Sequence, residues 1–191
     1  MCRKDRLVST TLSDRRILLG VCGGIAAYKA AELARRLTAE GAVVRTILTR
    51  NARRLVTPKL FETLTGQAVY TSLWSGPEAF QIGHVSLADW AQVVVVAPAT
   101  ANLLAKLAVG LCDDLLSTTL CAAWERPLLL APAMNTKMWT HPAVQQNVRT
   151  LQERGVTLIG PEEGPLACGT QGPGRMAEPA DILAAIQAAL A

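Results

Sequence analysis

Short blocks of consecutive apolar residues alternate along the chain with stretches whose apolar positions recur at helical spacing. Ile17–Val21 is a compact run ending at Gly23-Gly24, and Ala26–Thr38 then keeps Lys29, Glu32, Arg35 and Arg36 off its apolar face. Gly41 closes that helix, Val43–Leu48 reads as the next strand, and Pro58 precedes a helix over about Lys59–Leu64. The unbroken run Val93–Ala97 is what a strand covered on both faces requires. Helices near Ala101–Ala108 and Asp114–Ala123 follow, then a strand at Leu128–Ala131 and a helix at Ala143–Arg154. A strand at Val156–Ile159 and a closing helix at Pro179–Leu190 complete the series. This alternation predicts one α/β domain over 15–191, a parallel sheet with helices on both faces. Residues 1–14 read as a loose N-terminal extension.

One segment breaks the rhythm. Residues 160–176, GPEEGPLACGTQGPGRM, hold eight of the chain's 14 Gly and 10 Pro residues. A loop this long inside a compact domain is uncommon and usually functional, so a lid or clamp is expected there.

Composition narrows the classes. The chain is 50% hydrophobic and 18% charged, with only eight aromatic residues, so Ala, Leu and Val must fill the core. Val93–Ala99 and Leu128–Met134 are the longest apolar runs, far short of the roughly 18 residues of a membrane span. No apolar leader region opens the sequence, and the cysteines at 2, 22, 112, 121 and 168 show neither C-x-x-C nor zinc spacing. Reduced thiols, a cytoplasmic location and no bound metal are therefore expected. Net charge is +4, but no basic stripe carries interleaved aromatics, which argues against nucleic acid as a partner. So apolar a domain is expected to bury surface in an oligomer.

Ligands of open α/β sheets sit beyond the carboxyl ends of the strands. The first such end, Gly20-Val-Cys-Gly-Gly-Ile25, opens a helix and can hold an anion on backbone N–H groups. It is not G-x-G-x-x-G, the second strand ends Thr46-Ile-Leu-Thr-Arg50 without an acidic residue for a ribose, and no Walker motif exists. A mononucleotide with one phosphate fits better, Thr49 donating to it; the alternative is a tight strand–helix turn. Asn135, after the strand in Pro132-Ala-Met-Asn-Thr-Lys-Met-Trp139, either holds a carboxylate or flavin edge or caps the next helix. Pro98-Ala-Thr-Ala-Asn102 carries the same two readings. His84, in Gly83–Trp90, is either a catalyst or a satisfied polar residue at a helix start, and His141 before Pro142 ends a loop. Cys22, Cys112 and Cys121 read as small core residues, whereas Cys168 in the clamp can reach a ligand and give up a proton.

The strings GGIAAYK, HVSLADWA, PATANL, PAMNTKMW and ACGTQGPGRMAEP occur in this order over roughly residues 15–182. Together they resemble the flavin-dependent cysteine decarboxylase family, most closely its coenzyme A branch. The resemblance implies a Rossmann-like (flavodoxin-like) three-layer domain, FMN, and conversion of 4'-phosphopantothenoylcysteine to 4'-phosphopantetheine. The thiol would be oxidised to a thioaldehyde, the carboxylate lost as carbon dioxide, and the resulting enethiolate reduced again. By that resemblance His84 is the base, Asn135 holds the substrate carboxylate and Cys168 donates the proton of the return step. Gly23, Gly24, Ile25, Thr49, Thr100, Ala101, Asn102, Leu103 and Ala133 would line FMN; Met134, Asn135, Leu166, Ala167 and Met176 would line the substrate. The family also implies homotrimers, or trimers assembled into a dodecamer, and a ligase that is here either a separate protein or a missing domain.

Two other readings compete. One branch of the family decarboxylates the C-terminal cysteine of ribosomal peptides and needs no reducing cysteine, so Cys168 favours the coenzyme A branch. A flavoprotein regulator of a phosphatase is the third reading, and such proteins usually carry long acidic tails. The family often has Ser where Cys22 stands, which would remove one phosphate hydroxyl.

Overall fold

The computed structural model describes residues 12–74, 83–166, 169 and 171–191. Its strands β1 (Arg16–Val21), β2 (Val43–Leu48), β3 (Val69–Tyr70), β4 (Val93–Ala99), β5 (Leu128–Pro132) and β6 (Thr157–Leu158) form one parallel sheet in the order β3-β2-β1-β4-β5-β6. That is the Rossmann strand order, whose direction of winding reverses between β1 and β4. The helices are α1 (Ala27–Ala39), α2 (Pro58–Thr65), α3 (Gly83–Trp90), α4 (Ala101–Val109), α5 (Leu115–Ala122), α6 (Thr136–Trp139), α7 (Pro142–Glu153) and α8 (Pro179–Leu190).

Side chains of one strand point alternately to two cores, which is why both layers form. Ile17, Leu19, Val21, Val93, Val95 and Leu129 pack with α1, α2 and α8. Leu18, Val94, Val96 and Leu130 pack with α3, α4, α5 and α7. Gly20 lets α5 approach the sheet, since a Cβ there would lie 2.7 Å from a Leu116 methyl. Among the described residues no helix is long and apolar enough to cross a membrane.

Three expectations need correction. Residues 160–176 are not one irregular loop: β7 (Glu162–Pro165) and β8 (Gln171–Arg175) pair as an antiparallel hairpin. Its strands, EEGP and QGPGR, show no period-2 apolar pattern, so periodicity hides them; contacts from outside also hold them. The Met134 N–H donates to Gly174 O at 3.0 Å, and α6 packs against β8. Leu12 is 1% exposed and its N–H donates to Glu40 O at 3.2 Å, so the ordered domain begins before residue 15. Finally, Cys112 and Cys121 are exposed, Cys112 in the turn between α4 and α5 and Cys121 on the outer face of the last turn of α5; only Cys22 of the three is a core residue.

Candidate functional site

The winding reversal leaves a crevice at the carboxyl ends of β1 and β4, and two clefts adjoin there. The larger, about 810 Å³, lies between the β1–α1 turn, the loop after β5 and the β7–β8 hairpin. The smaller, about 630 Å³, lies between Cys22-Gly23, Thr49–Asn51, the start of α4 and Asp113-Asp114. Both are lined by Gly23, Thr100, Ala101 and Met138, so they form one continuous crevice.

The turn after β1 is built for close approach. A Cβ on Gly23 would overlap Asn51, so only glycine lets the loop after β2 close on it. Gly24 N–H donates to Cys22 O and Ala27 N–H to Gly24 O, whereas the N–H groups of Gly23, Ile25 and Ala26 find no acceptor among the described residues. Orphan donors at the start of a thirteen-residue helix suit an anion. Thr49 Oγ1 accepts the Ala52 N–H at 3.2 Å, and Thr100 caps α4 by accepting the Leu103 N–H at 3.5 Å. Cys22 lies beneath Thr100. Burial pushes its thiol up to about 11, against hydrogen bonds from the Thr100 main chain and hydroxyl. The thiol therefore keeps its proton at the buried edge of the smaller cleft.

The smaller cleft carries charge that motif reading missed. Arg50, Arg54 and Lys106 line it with Asp113 and Asp114. Lys106 Nζ lies 2.6 Å from a carboxylate oxygen of each aspartate. Partial burial pulls the Asp114 carboxyl up, but Lys106 and the N–H and hydroxyl of Ser117 bring it below its ordinary value. Asp114 and Ser117 also form a capping box on α5. The pattern Asp-x-x-Ser was the available signal.

In the larger cleft, Asn135 caps a helix and lines the wall. Its Oδ1 accepts the Lys137 N–H at 2.8 Å, capping α6, and it lines the cleft beside Met134 and Ala133. Lys29 Nζ ties α1 to the end of the hairpin through Met176 O at 3.3 Å and Glu178 at 2.8 Å. His141 caps α7, its Nδ1 accepting the Ala143 N–H at 3.2 Å.

Most expected site residues meet in this crevice. Gly23, Gly24, Ile25, Thr100, Ala101, Ala133, Met134, Asn135, Leu166 and Met176 line the larger cleft; Thr49, Asn102 and Leu103 line the smaller. Ala167 and Cys168 lie outside the described residues. His84, second in α3 and half-buried, lines neither cleft, because α3 packs on α5. No group of three or more His, Cys, Asp or Glu among the described residues is arranged to hold a metal ion.

The geometry agrees with the comparisons. A relative from Bacillus subtilis (strain 168), the coenzyme A biosynthesis bifunctional protein CoaBC, is 47% identical over 172 residues, 90% of this chain and 42% of that protein. The chain thus spans about two fifths of the length of the curated relatives it matches. A PPC decarboxylase mutant complexed with pantothenoylaminoethenethiol superposes with a TM-score of 0.79 at 36% identity, covering 92% of this chain and 97% of that one. The FMN-dependent cysteine decarboxylase SpaF superposes with a TM-score of 0.79 at 39% identity, covering 93% and 96%. The model of the Flavoprotein family matches residues 5–191, and the chain belongs to that family.

Proposed function

We propose that this chain binds FMN and decarboxylates 4'-phosphopantothenoylcysteine to 4'-phosphopantetheine. The observation that carries the reading is that the donor-rich turn at Gly23 and the amide of Asn135 line one crevice. Its residues fit FMN. The orphan N–H groups of Gly23, Ile25 and Ala26 suit the phosphate, with Thr49 and Arg50 near, and Ala101 and Ala133 offer small apolar surface. Bound there, FMN supplies a two-electron oxidation of the substrate thiol and the return of those electrons.

The chain's own residues supply the rest. Asn135 donates from its amide to the substrate carboxylate, fixing it without a counter-ion that would hold it back from leaving as carbon dioxide. Met134, Leu166 and Met176 cover the arm of the substrate. His84 takes the thiol proton. Since His84 lines neither cleft of its own chain, we assign its reach to a neighbouring copy in a trimer, alone or within a dodecamer. Cys168 returns a proton when the enethiolate is reduced. A ligase on a further domain or a separate protein would supply the substrate.

The purified protein should be yellow and release carbon dioxide and 4'-phosphopantetheine, read by mass spectrometry, with no net bleaching of the flavin. A protein that never takes up FMN overturns the reading. Cys168→Ser should stop at the enethiol with the flavin left reduced, and His84→Asn should bind FMN without decarboxylating.

The likeness to SpaF at 39% identity supports a second reading, oxidative decarboxylation of a C-terminal peptide cysteine. A peptide ending in cysteine would then lose carbon dioxide and two hydrogens, while 4'-phosphopantothenoylcysteine would be left untouched.

A further inference from the structure

We propose that Arg36 anchors the phosphoryl group of the substrate at the outer end of the larger cleft, an inference that rests on the coenzyme A reading above. Tyr28, Lys29, Glu32 and Arg36 fall on one stripe of α1 and line that cleft, which begins at Gly24 and Asn135. From Ala27 to Arg36 the helix rises roughly 14 Å. The arm between the cysteinyl carbon and the phosphate is about four residues' worth of extended chain, roughly 15 Å. An arm of that length, laid along this stripe of α1 from a carboxylate at Asn135, brings the phosphate to Arg36.

The cleft joins apolar lining (Ile25, Met138, Leu166, Pro179) to three cations, Lys29, Arg36 and Arg175, with Glu32 and Glu178 among them. Two of these cations are committed: Lys29 to Met176 O and Glu178, Arg175 to Glu162 at 2.5 Å and Glu178 at 3.6 Å. Arg36 spends only Nε, on Glu32 at 2.7 Å, and its terminal amino groups have no partner among the described residues. Glu32 is itself shared with Arg35, bonded at 2.8 Å by both Nε and Nη2, so the trio keeps one net positive charge. A guanidinium held by one nitrogen and open at the other two is suited to bidentate capture of a phosphate.

The test compares 4'-phosphopantothenoylcysteine with its unphosphorylated form in the flavin-loaded enzyme. The wild type should prefer the phosphorylated substrate, with a KM that rises with ionic strength. Arg36→Gln should raise that KM about ten- to a hundredfold at little change in kcat and erase the preference, and Arg36→Lys should restore part of it. A wild-type preference that survives in Arg36→Gln, or a KM indifferent to salt, overturns the inference and leaves the decarboxylase reading standing. A flavin-loaded wild type that turns over neither substrate overturns the decarboxylase reading itself.

Discussion

The main-chain N–H of Met134 donates to the carbonyl of Gly174 at 3.0 Å, joining the loop after β5 to the second strand of the hairpin. Gly174 stands at φ +146, and a Cβ on it would overlap the Met134 carbonyl. Backbone strain and collision therefore coincide at the wall of the larger cleft. Gly174→Ala should cost about 2–3 kcal/mol by urea unfolding and raise the substrate KM at least tenfold. Gly66→Ala is the control, because Gly66 has φ +65 with nothing within 4 Å of a Cβ. It should cost about 1 kcal/mol and leave KM alone. Equal effects from the two would mean that the hairpin contact does not shape the cleft.

Asn135 caps α6, and in the proposed reaction it also holds the substrate carboxylate; one substitution separates the two. Asp accepts the Lys137 N–H as Asn does, so Asn135→Asp keeps the cap on α6. It also sets a negative charge against the substrate carboxylate. The expected result is unchanged thermal unfolding and flavin absorbance with activity down at least a hundredfold, and partial recovery below about pH 5 as carboxyl groups protonate. Asn135→Asp with wild-type kcat/KM would remove Asn135 from the chemistry.

How much of this was legible without coordinates follows from where the signals come from. Val93–Val96 announces itself because a strand buried on both faces must be apolar at every position. The last helix was bounded at both ends by Pro179 and the chain's final apolar turn. Strand ends border the crevice in this topology, so the positions of Gly23, Thr49, Thr100 and Asn135 along it were legible in the sequence. The hairpin was not, since its strands carry no alternating apolar pattern and pack against Met134 and Thr136, which are remote in sequence. Lys29 and Arg36 read as a solvated helix face because spacing cannot tell which polar stripe borders a cleft.

Asp114 links stability to pH. Its folded carboxyl lies below the ordinary value because Lys106 and Ser117 outweigh partial burial. A depressed carboxyl stabilises the fold fully above its unfolded value, near 4, and loses that contribution as pH falls through the folded value. Asn is as good a cap as Asp, so Asp114→Asn isolates the charge. The stability difference between wild type and Asp114→Asn, measured by urea unfolding, should be constant from pH 8 to 5 and shrink below about pH 4. Asp114→Ala should cost about 1–2 kcal/mol more than Asp114→Asn across this range through the lost cap. A difference that grows on acidification would reverse the sign of the Lys106 pairing.

The thiols should divide by position rather than by number. Cys22 is 2% exposed and burial pushes it up to about 11, so at pH 8 only about one thiolate in a thousand exists, and reagent cannot reach it. Cys112 and Cys121 are exposed. Residual burial, a hydrogen bond with Cys121, and Asp113 and Asp114 all push Cys112 up. With Cys2 and Cys168 replaced by Ser, an aromatic disulfide reagent at pH 8 should titrate two thiols in the native protein and three in guanidinium. Of the two native thiols, Cys112 should react more slowly than a free cysteine, and Cys121→Ser should speed it by relieving the hydrogen bond and repulsion. Three thiols reacting without denaturant would mean that Cys22 is reachable from the crevice and that the floor beneath Thr100 opens.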